Sequence, residues 1–280
     1  SHPRVKTIYL TDDDFCINKK DVIRFCKKIV EEKFKNLTFM SFCRASDATD
    51  EMFYWLKKAN WRRLNIGIES FSDKVLKDMR KRCTKEQNHE ALRLAKKNGI
   101  PAFLNIIVTT PESTLDDVKK TVNGAMIYAK DSFFHVGITL AIKPLKGTDY
   151  FEEYTNFMSR IVEIPNTQYK VKVDDLIFAK DPKVKMLQLR YWDEIDDYIQ
   201  SQQEKRSIKH QVASNLSLIK LELLSKLIDE IENQFKTKKM VNSKSYKSKS
   251  MPKNERQTVD IEDDFGKIKK KLSKSTHGTF

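Results

Sequence analysis

Glycine is scarce in this chain, with seven residues in 280, and so is every spacing that normally announces a metal. The four cysteines, Cys16, Cys26, Cys43 and Cys83, form no CxxC and no CxxxCxxC. The five histidines, His2, His89, His135, His210 and His277, are scattered, with no pair at ligand spacing. A zinc ribbon or a cluster loop is therefore excluded by spacing, and no metal ligands are assigned. No run of eighteen apolar residues occurs, which excludes a membrane span and a membrane partner. The chain opens Ser-His-Pro-Arg, without a charged-then-apolar signal and without Met, as if cut from something longer. Four thiols in a chain lacking a secretion signal are expected to stay reduced, so a cytoplasmic location is expected. Cys26 and Cys43 read as small buried hydrophobes.

What remains is enough for one substantial core: 39% of the residues are hydrophobic. The net charge of +14 is uneven, because residues 236–280 carry 13 Lys and Arg against five Asp and Glu. Basicity belongs to the tail and does not argue that the folded part binds nucleic acid. The tail itself, rich in Lys and Ser, reads as disordered, with weak RNA contact as the minor reading. The expected division is 1–165 for the main domain, 166–235 for a mostly helical extension and 236–280 for the tail.

Along the first part, short β-branched runs alternate with helical stripes. Strands are expected at 5–11, 37–43, 63–70, 100–108 and 133–142. Helices are expected at about 19–35, from Asp47 or Thr49 through Ala59, at 72–81, 84–98, 114–130 and 148–162. The helix ending at Lys97 closes on Asn98-Gly99, a C-terminal signal. Strand–helix repeated five times with short connections means right-handed crossovers and a parallel sheet, open or curled into a barrel. Tyr169–Ala179 suggests a further strand or two, and Met186–Gln200 a helix. Leu221, Leu224, Ile228, Ile231 and Phe235 stripe a helix over about 213–235, expected to pack on the main domain, with a partner or dimer seam as the alternative.

The polar groups fall in step at the carboxyl ends of these strands: Asp12–Asp14, Arg44, Glu69 and Ser70, Thr109–Thr114, and Lys143–Thr148. In a parallel sheet all of these face one mouth, which makes that mouth the candidate site. Leu64-Asn-Ile-Gly-Ile-Glu-Ser70 is the most informative stretch. A carboxylate at such a strand end suits the hydroxyls of a ribose diol; the plain alternative is an ion pair with a nearby Lys or Arg. Ser70 or Ser72 is placed to cap the helix beginning near Asp73.

Those residues resemble the radical S-adenosylmethionine enzymes, particularly the branch that often carries a cobalamin-binding domain. The similarity rests on Asp13-Asp14-Phe15 with Asn18, on Arg44, on Gly67-Ile68-Glu69-Ser70 followed by Ser72-Asp73, Val75-Leu76 and Met79, on Thr109–Thr114, and on Pro144-Leu145-Lys146-Gly147-Thr148. It covers about residues 5–155. The turn at Thr109–Thr114 departs from the family pattern, with Thr109, Glu112 and Ser113 where Gly, Gly and Glu are usual. Glu112 would substitute for that Glu only if the turn shifts by one residue.

The resemblance implies an α/β fold: a partial, open (β/α) barrel that lacks the first of six strand–helix units, plus the helical extension. It implies S-adenosylmethionine bound by Glu69 with Ser70 in support, Arg44 on the carboxylate, Val108 and Thr109 against the adenine, and Asp13 and Asp14 lining the site. For Arg44 an ion pair with a nearby Asp, and for the two Asp a solvated helix entry, are the plain alternatives. It also implies a [4Fe–4S] cluster, whose CxxxCxxC belongs to the absent unit, cobalamin where that domain precedes, and a reductant such as flavodoxin or ferredoxin. The substrate, small-molecule or macromolecular, and the catalytic residues stay unassigned. The implied function is part of an enzyme that generates a 5′-deoxyadenosyl radical. Two alternatives are a degenerate barrel serving as a binding or scaffold module, and an Mg²⁺-dependent barrel enzyme using Asp12–Asp14 and Glu69.

Overall fold

In a computed structural model, residues 5–34, 36–143, 145–154, 157–163, 170–205 and 212–245 are described. Five parallel strands carry the domain: β1 (Thr7–Leu10), β2 (Thr38–Arg44), β3 (Trp61–Glu69), β4 (Ala102–Thr109) and β5 (Phe134–Ala141). The helices between them are α1 (Lys19–Glu31), α2 (Asp50–Lys58), α3 (Asp73–Asp78), α4 (Lys85–Lys97) and α5 (Leu115–Ala129). Side-chain caps start most of them, each satisfying an amide the first turn leaves free. Asn18 accepts from the Asp21 amide, Thr49 from Met52, and Thr84 and Thr114 close reciprocal boxes with Gln87 and Asp117. Gly99, at φ +68°, ends α4 in the left-handed turn that glycine adopts without strain.

The strands lie in the order β1-β2-β3-β4-β5, each parallel to its sequence neighbour. A doubly wound sheet would reverse direction at a switch point; this one never does, so its crossovers all lie on one face, as in a barrel wall. Along β4 the alternate residues Ala102, Leu104, Ile106 and Val108 are buried under the helices, whereas Phe103, Asn105 and Ile107 are half-buried on the other, concave face. Trp61, Phe39 and Phe15 stack behind β2 and β3, with centroids 4.9 and 5.7 Å apart, and the Trp61 indole donates to Ser41 Oγ at 3.0 Å.

The two sheet edges differ. β1 is bare, with Ile8 and Tyr9 exposed. At the other edge, after α6 (Asp149–Glu153), β6 (Phe157–Glu163), β7 (Lys170–Ile177) and α7 (Pro182–Lys205), the helix α8 (Val212–Ser245) packs against α7, α5 and β5. Its Leu221, Leu223, Leu224, Leu227, Ile228 and Ile231 are buried, each contributing about 1.5–3 kcal/mol before entropy. Ser217 Oγ donates to the Val136 carbonyl of β5. The heptad-like stripe thus packs on the main domain. α8 runs ten residues into the Lys/Ser-rich segment, and residues 246–280 lie outside those described.

One expected element is overturned. Residues 148–162 were expected to be one helix, yet α6 stops at Glu153 and β6 follows, paired antiparallel with β7. Phe157, Ile161 and Val162 suit strand as well as helix, and the pairing partner lies further along the chain. Among side-chain caps, neither Ser70 nor Ser72 serves α3: Ser72 holds the cap position, but its hydroxyl donates to Asp117 Oδ1 at 2.7 Å.

Candidate functional site

The carboxyl ends of β2 to β5 open into a cavity of 580 Å³. Arg44, Glu69, Asp13 and Lys143 bring charge to it, Asn105, Thr139 and Tyr150 bring neutral polar groups, and Phe42, Ile107 and Ile142 wall it with apolar surface. This is the mouth that the parallel sheet predicts.

Glu69 stands at the sharp end of β3 with φ +59°, a left-handed conformation that costs a non-glycine residue about 1–3 kcal/mol. The bend is held from behind. The Ser70 amide donates to the Ile68 carbonyl at 2.7 Å, and the buried Asn88 carboxamide of α4 donates to both Ile68 and Ser70 carbonyls, at 3.0 and 2.9 Å. Ser70 itself is fully buried; its hydroxyl meets Thr121 Oγ1 at 2.6 Å and accepts from the Ser72 amide. Ser70 therefore supports the turn from outside the cavity, and the Glu69 carboxylate is turned inward.

That carboxylate meets Lys81, whose Nζ donates to Oε1 at 2.8 Å, both side chains being largely buried. The Arg44 guanidinium donates to the Lys81 carbonyl at 3.0 Å and lies 3.8 Å from Asp14 Oδ2, so it fixes the loop that carries Lys81. Lys81 is the site residue that sequence reasoning missed. It lies twelve positions after Glu69, and only the turns at Arg80 and Arg82, both with φ +53°, bring it back to the mouth. Gly67 leaves room for the pair: a Cβ there would stand 2.8 Å from Glu69 Oε1 and 3.0 Å from Lys81 Nζ.

The remaining expected site residues fall on either side of this line. Asp13 and Arg44 line the cavity with Glu69. Asp14 lies behind it; both carboxylate oxygens are buried without a hydrogen bond among the described residues, and burial, then the nearby Asp47, push its pKa up against the pull of Arg44. Val108 is buried on the helix side of β4, and the Thr109 hydroxyl is occupied, donating to the Leu140 carbonyl at 2.7 Å and accepting from Gln188 at 2.8 Å. Glu112 pairs with Lys180 and accepts from the Tyr154 hydroxyl at 2.8 Å, outside the cavity lining.

The cysteines do not fit a [4Fe–4S] cluster. Cys16, Cys26 and Cys43 are packed in the core on separate elements, and a cluster needs thiolates converging from one short loop. Burial pushes the Cys26 thiol up to about 12, and a hydrogen bond with Cys16 together with burial raises Cys43 well above the usual range. Burial likewise raises Cys83. Among the described residues no three His, Cys, Asp or Glu side chains are placed to share a metal ion, so Asp12–Asp14 and Glu69 are not brought together as an Mg²⁺ site. No helix among them is long and apolar enough to cross a membrane.

Comparison with known proteins places this geometry. A putative methylthiotransferase of Methanocaldococcus jannaschii is 33% identical over 98 residues, 35% of this chain and 22% of that protein. An uncharacterized methyltransferase of Pyrococcus horikoshii is 28% identical over 148 residues, 53% of this chain and 31% of that protein. The chain thus spans less than a third of the length of either relative. In fold, it resembles the cobalamin-dependent S-adenosylmethionine radical enzyme OxsB with a TM-score of 0.53 at 19% identity, over 81% of this chain and 38% of that one. The family model of the Radical SAM superfamily matches residues 1–124, from ahead of β1 into α5. The part of the chain that is similar to the Radical SAM superfamily thus holds β1 to β4 and the Glu69 turn.

Proposed function

We propose that this chain binds S-adenosylmethionine at the mouth and forms most of the barrel wall of a radical S-adenosylmethionine methyltransferase. The observation that carries the reading is the inward Glu69 carboxylate with Lys81 and Arg44 beside it. Glu69 accepts hydrogen bonds from the two ribose hydroxyls, as a strand-end carboxylate does with a diol. Lys81 then gives up its contact with Glu69 and, with Arg44, meets the methionine carboxylate, where charge-assisted hydrogen bonds are strongest. Phe42, Ile107 and Ile142 exclude water from the bound sulfonium.

Glu69, Lys81, Arg44 and the apolar wall of this chain would hold and shield S-adenosylmethionine, which when bound would supply the radical chemistry of the intact enzyme. The thiols described here do not fit a [4Fe–4S] cluster, so its ligands would come from elsewhere in the enzyme. An active enzyme would draw on a flavodoxin- or ferredoxin-type reductant, and on cobalamin where a domain for it precedes this chain. Methyl transfer is favoured by the name of the Pyrococcus horikoshii relative, a methyltransferase, whereas that of the Methanocaldococcus jannaschii relative speaks for methylthio transfer. A second reading, a non-catalytic binding module, draws on those same buried thiols.

Titration calorimetry of the purified chain tests the proposal. S-adenosylmethionine is expected to bind, and Glu69→Gln, which keeps the shape but loses the charge, is expected to weaken it about tenfold. Absence of binding, or equal binding by the variant, would remove the assignment.

A further inference from the structure

The polar groups of the mouth differ between its two sides. On the side of β2 and β3 both cations are engaged: Arg44 bonds the Lys81 carbonyl beside Asp14, and Lys81 meets Glu69. On the side of β5 they are not. Thr139 and Lys143 line the cavity, and among the described residues neither side chain makes a hydrogen bond or an ion pair.

There is open space in front of both. Thr139 is paired in register with Ile107, a cavity residue of the concave face, and both Thr139 and Lys143 are exposed. Ala141, between them in sequence and also in the lining, adds only a methyl group to that wall. The charge of the lining points the same way. Asp13 and Glu69 bring two negative charges, and Arg44, Lys81 and Lys143 three positive ones, a net +1. S-adenosylmethionine carries a sulfonium and an ammonium against a single carboxylate, so the loaded mouth is more positive still. Apolar walls such as Phe42, Ile107 and Ile142 weaken the screening of that charge.

We infer that the substrate presents an anionic group, a carboxylate or a phosphate, to Lys143 and Thr139 on the β5 side of the mouth. The Lys143 ammonium and the Thr139 hydroxyl donate to its oxygens, and hydrogen bonds between ionised partners are the strong ones. The rest of the substrate then reaches along Ile107 toward the sulfonium. This rests on the assignment of S-adenosylmethionine to Glu69, Arg44 and Lys81, which leaves the β5 side to the second reactant.

The test uses the full 280-residue chain with S-adenosylmethionine present, and three probes: benzoate, phenyl phosphate and the neutral benzamide. In calorimetry at one ionic strength, at least one of the two anions is expected to bind about tenfold tighter than benzamide, and the tighter of the two identifies the acid. Lys143→Gln is expected to abolish that preference, whereas Lys143→Arg, which keeps the charge, is expected to retain most of it. Both variants are expected to unfold at the parent's temperature, because Lys143 is exposed and unpaired. Equal affinity for charged and neutral probes, no binding of any, or a preference that survives Lys143→Gln would overturn the inference. A clearly lower unfolding temperature in Lys143→Gln would do so too, by giving the lysine a structural role. Failure of the cofactor assignment is distinguishable from failure here. Binding of S-adenosylmethionine without a probe preference removes only the anion site, and a Lys143-dependent preference without that binding removes only the cofactor assignment.

Discussion

Replacing Gly67 by alanine perturbs the mouth without asking the fold to change. The backbone at Gly67 lies outside the left-handed region, where only Gly99 and Gly147 among the described glycines fall, so β3 accepts alanine there. The added methyl would stand 2.8 Å from Glu69 Oε1 and 3.0 Å from Lys81 Nζ, about 0.5–1 Å inside ordinary contact. Both neighbours are the ends of flexible side chains, so they rotate away and the strand holds. Alanine in a strand gains about 0.5–1 kcal/mol over glycine through the unfolded chain. Stability is therefore expected to hold or to rise slightly in thermal unfolding. The carboxylate that receives the ribose and the ammonium beside it are both displaced. S-adenosylmethionine affinity is then expected to fall about tenfold, or 1.4 kcal/mol, in calorimetry. Affinity unchanged within about twofold, with stability intact, would show that the ligand does not sit at Glu69. A large fall in stability would show instead that the strand had no room to give.

Three further predictions concern what holds the mouth. Asn88→Ala removes the side-chain donor shared by the carbonyls on either side of Glu69, Ile68 keeping the Ser70 amide, so a loss of about 1–3 kcal/mol in denaturant unfolding is expected, together with weaker S-adenosylmethionine binding; a neutral result would mean the Glu69 turn holds itself. In Gly124→Ala a Cβ would come 2.3 Å from Phe71 Cγ, and overpacking of about 1–3 kcal/mol outweighs a helix gain of about 1, so unfolding should occur a few degrees lower. Asp14 has a folded pKa raised above its unfolded one, so its ionised form destabilises the fold once pH exceeds the ordinary carboxylate value. Asp14→Asn should accordingly be more stable than the parent at pH 7. The gain should shrink as pH falls toward about 4, and a gain that grew in acid would reverse the assignment.

Much of this molecule was legible in its residues. The five parallel strands followed from short β-branched runs separated by capped helices, with connections too brief for anything but right-handed crossovers, whereas their sequential order is a finding of the tertiary structure. The shared mouth followed in turn, because parallel strands present all their carboxyl ends on one side. Glu69 and Arg44 could be picked out because each follows directly on its strand. The misreading of 148–162 has a matching cause. A lone apolar segment fixes neither period, and the pairing of Phe157–Glu163 with Lys170–Ile177 is a contact between distant residues.

By itself the sequence determined the order of elements, the side of the sheet on which chemistry is placed and the carboxylate at its centre, since those depend on local periodicity and on strand direction. Tertiary structure decided the rest. It brought Lys81 back onto Glu69 through two left-handed turns and turned Asn88 from an ordinary helix residue into the clamp of that bend. It also sealed three thiols in the core. Each of these is a contact between residues twelve or more positions apart, or a measure of what surrounds an atom. Neither is carried by the spacing of residues along a chain.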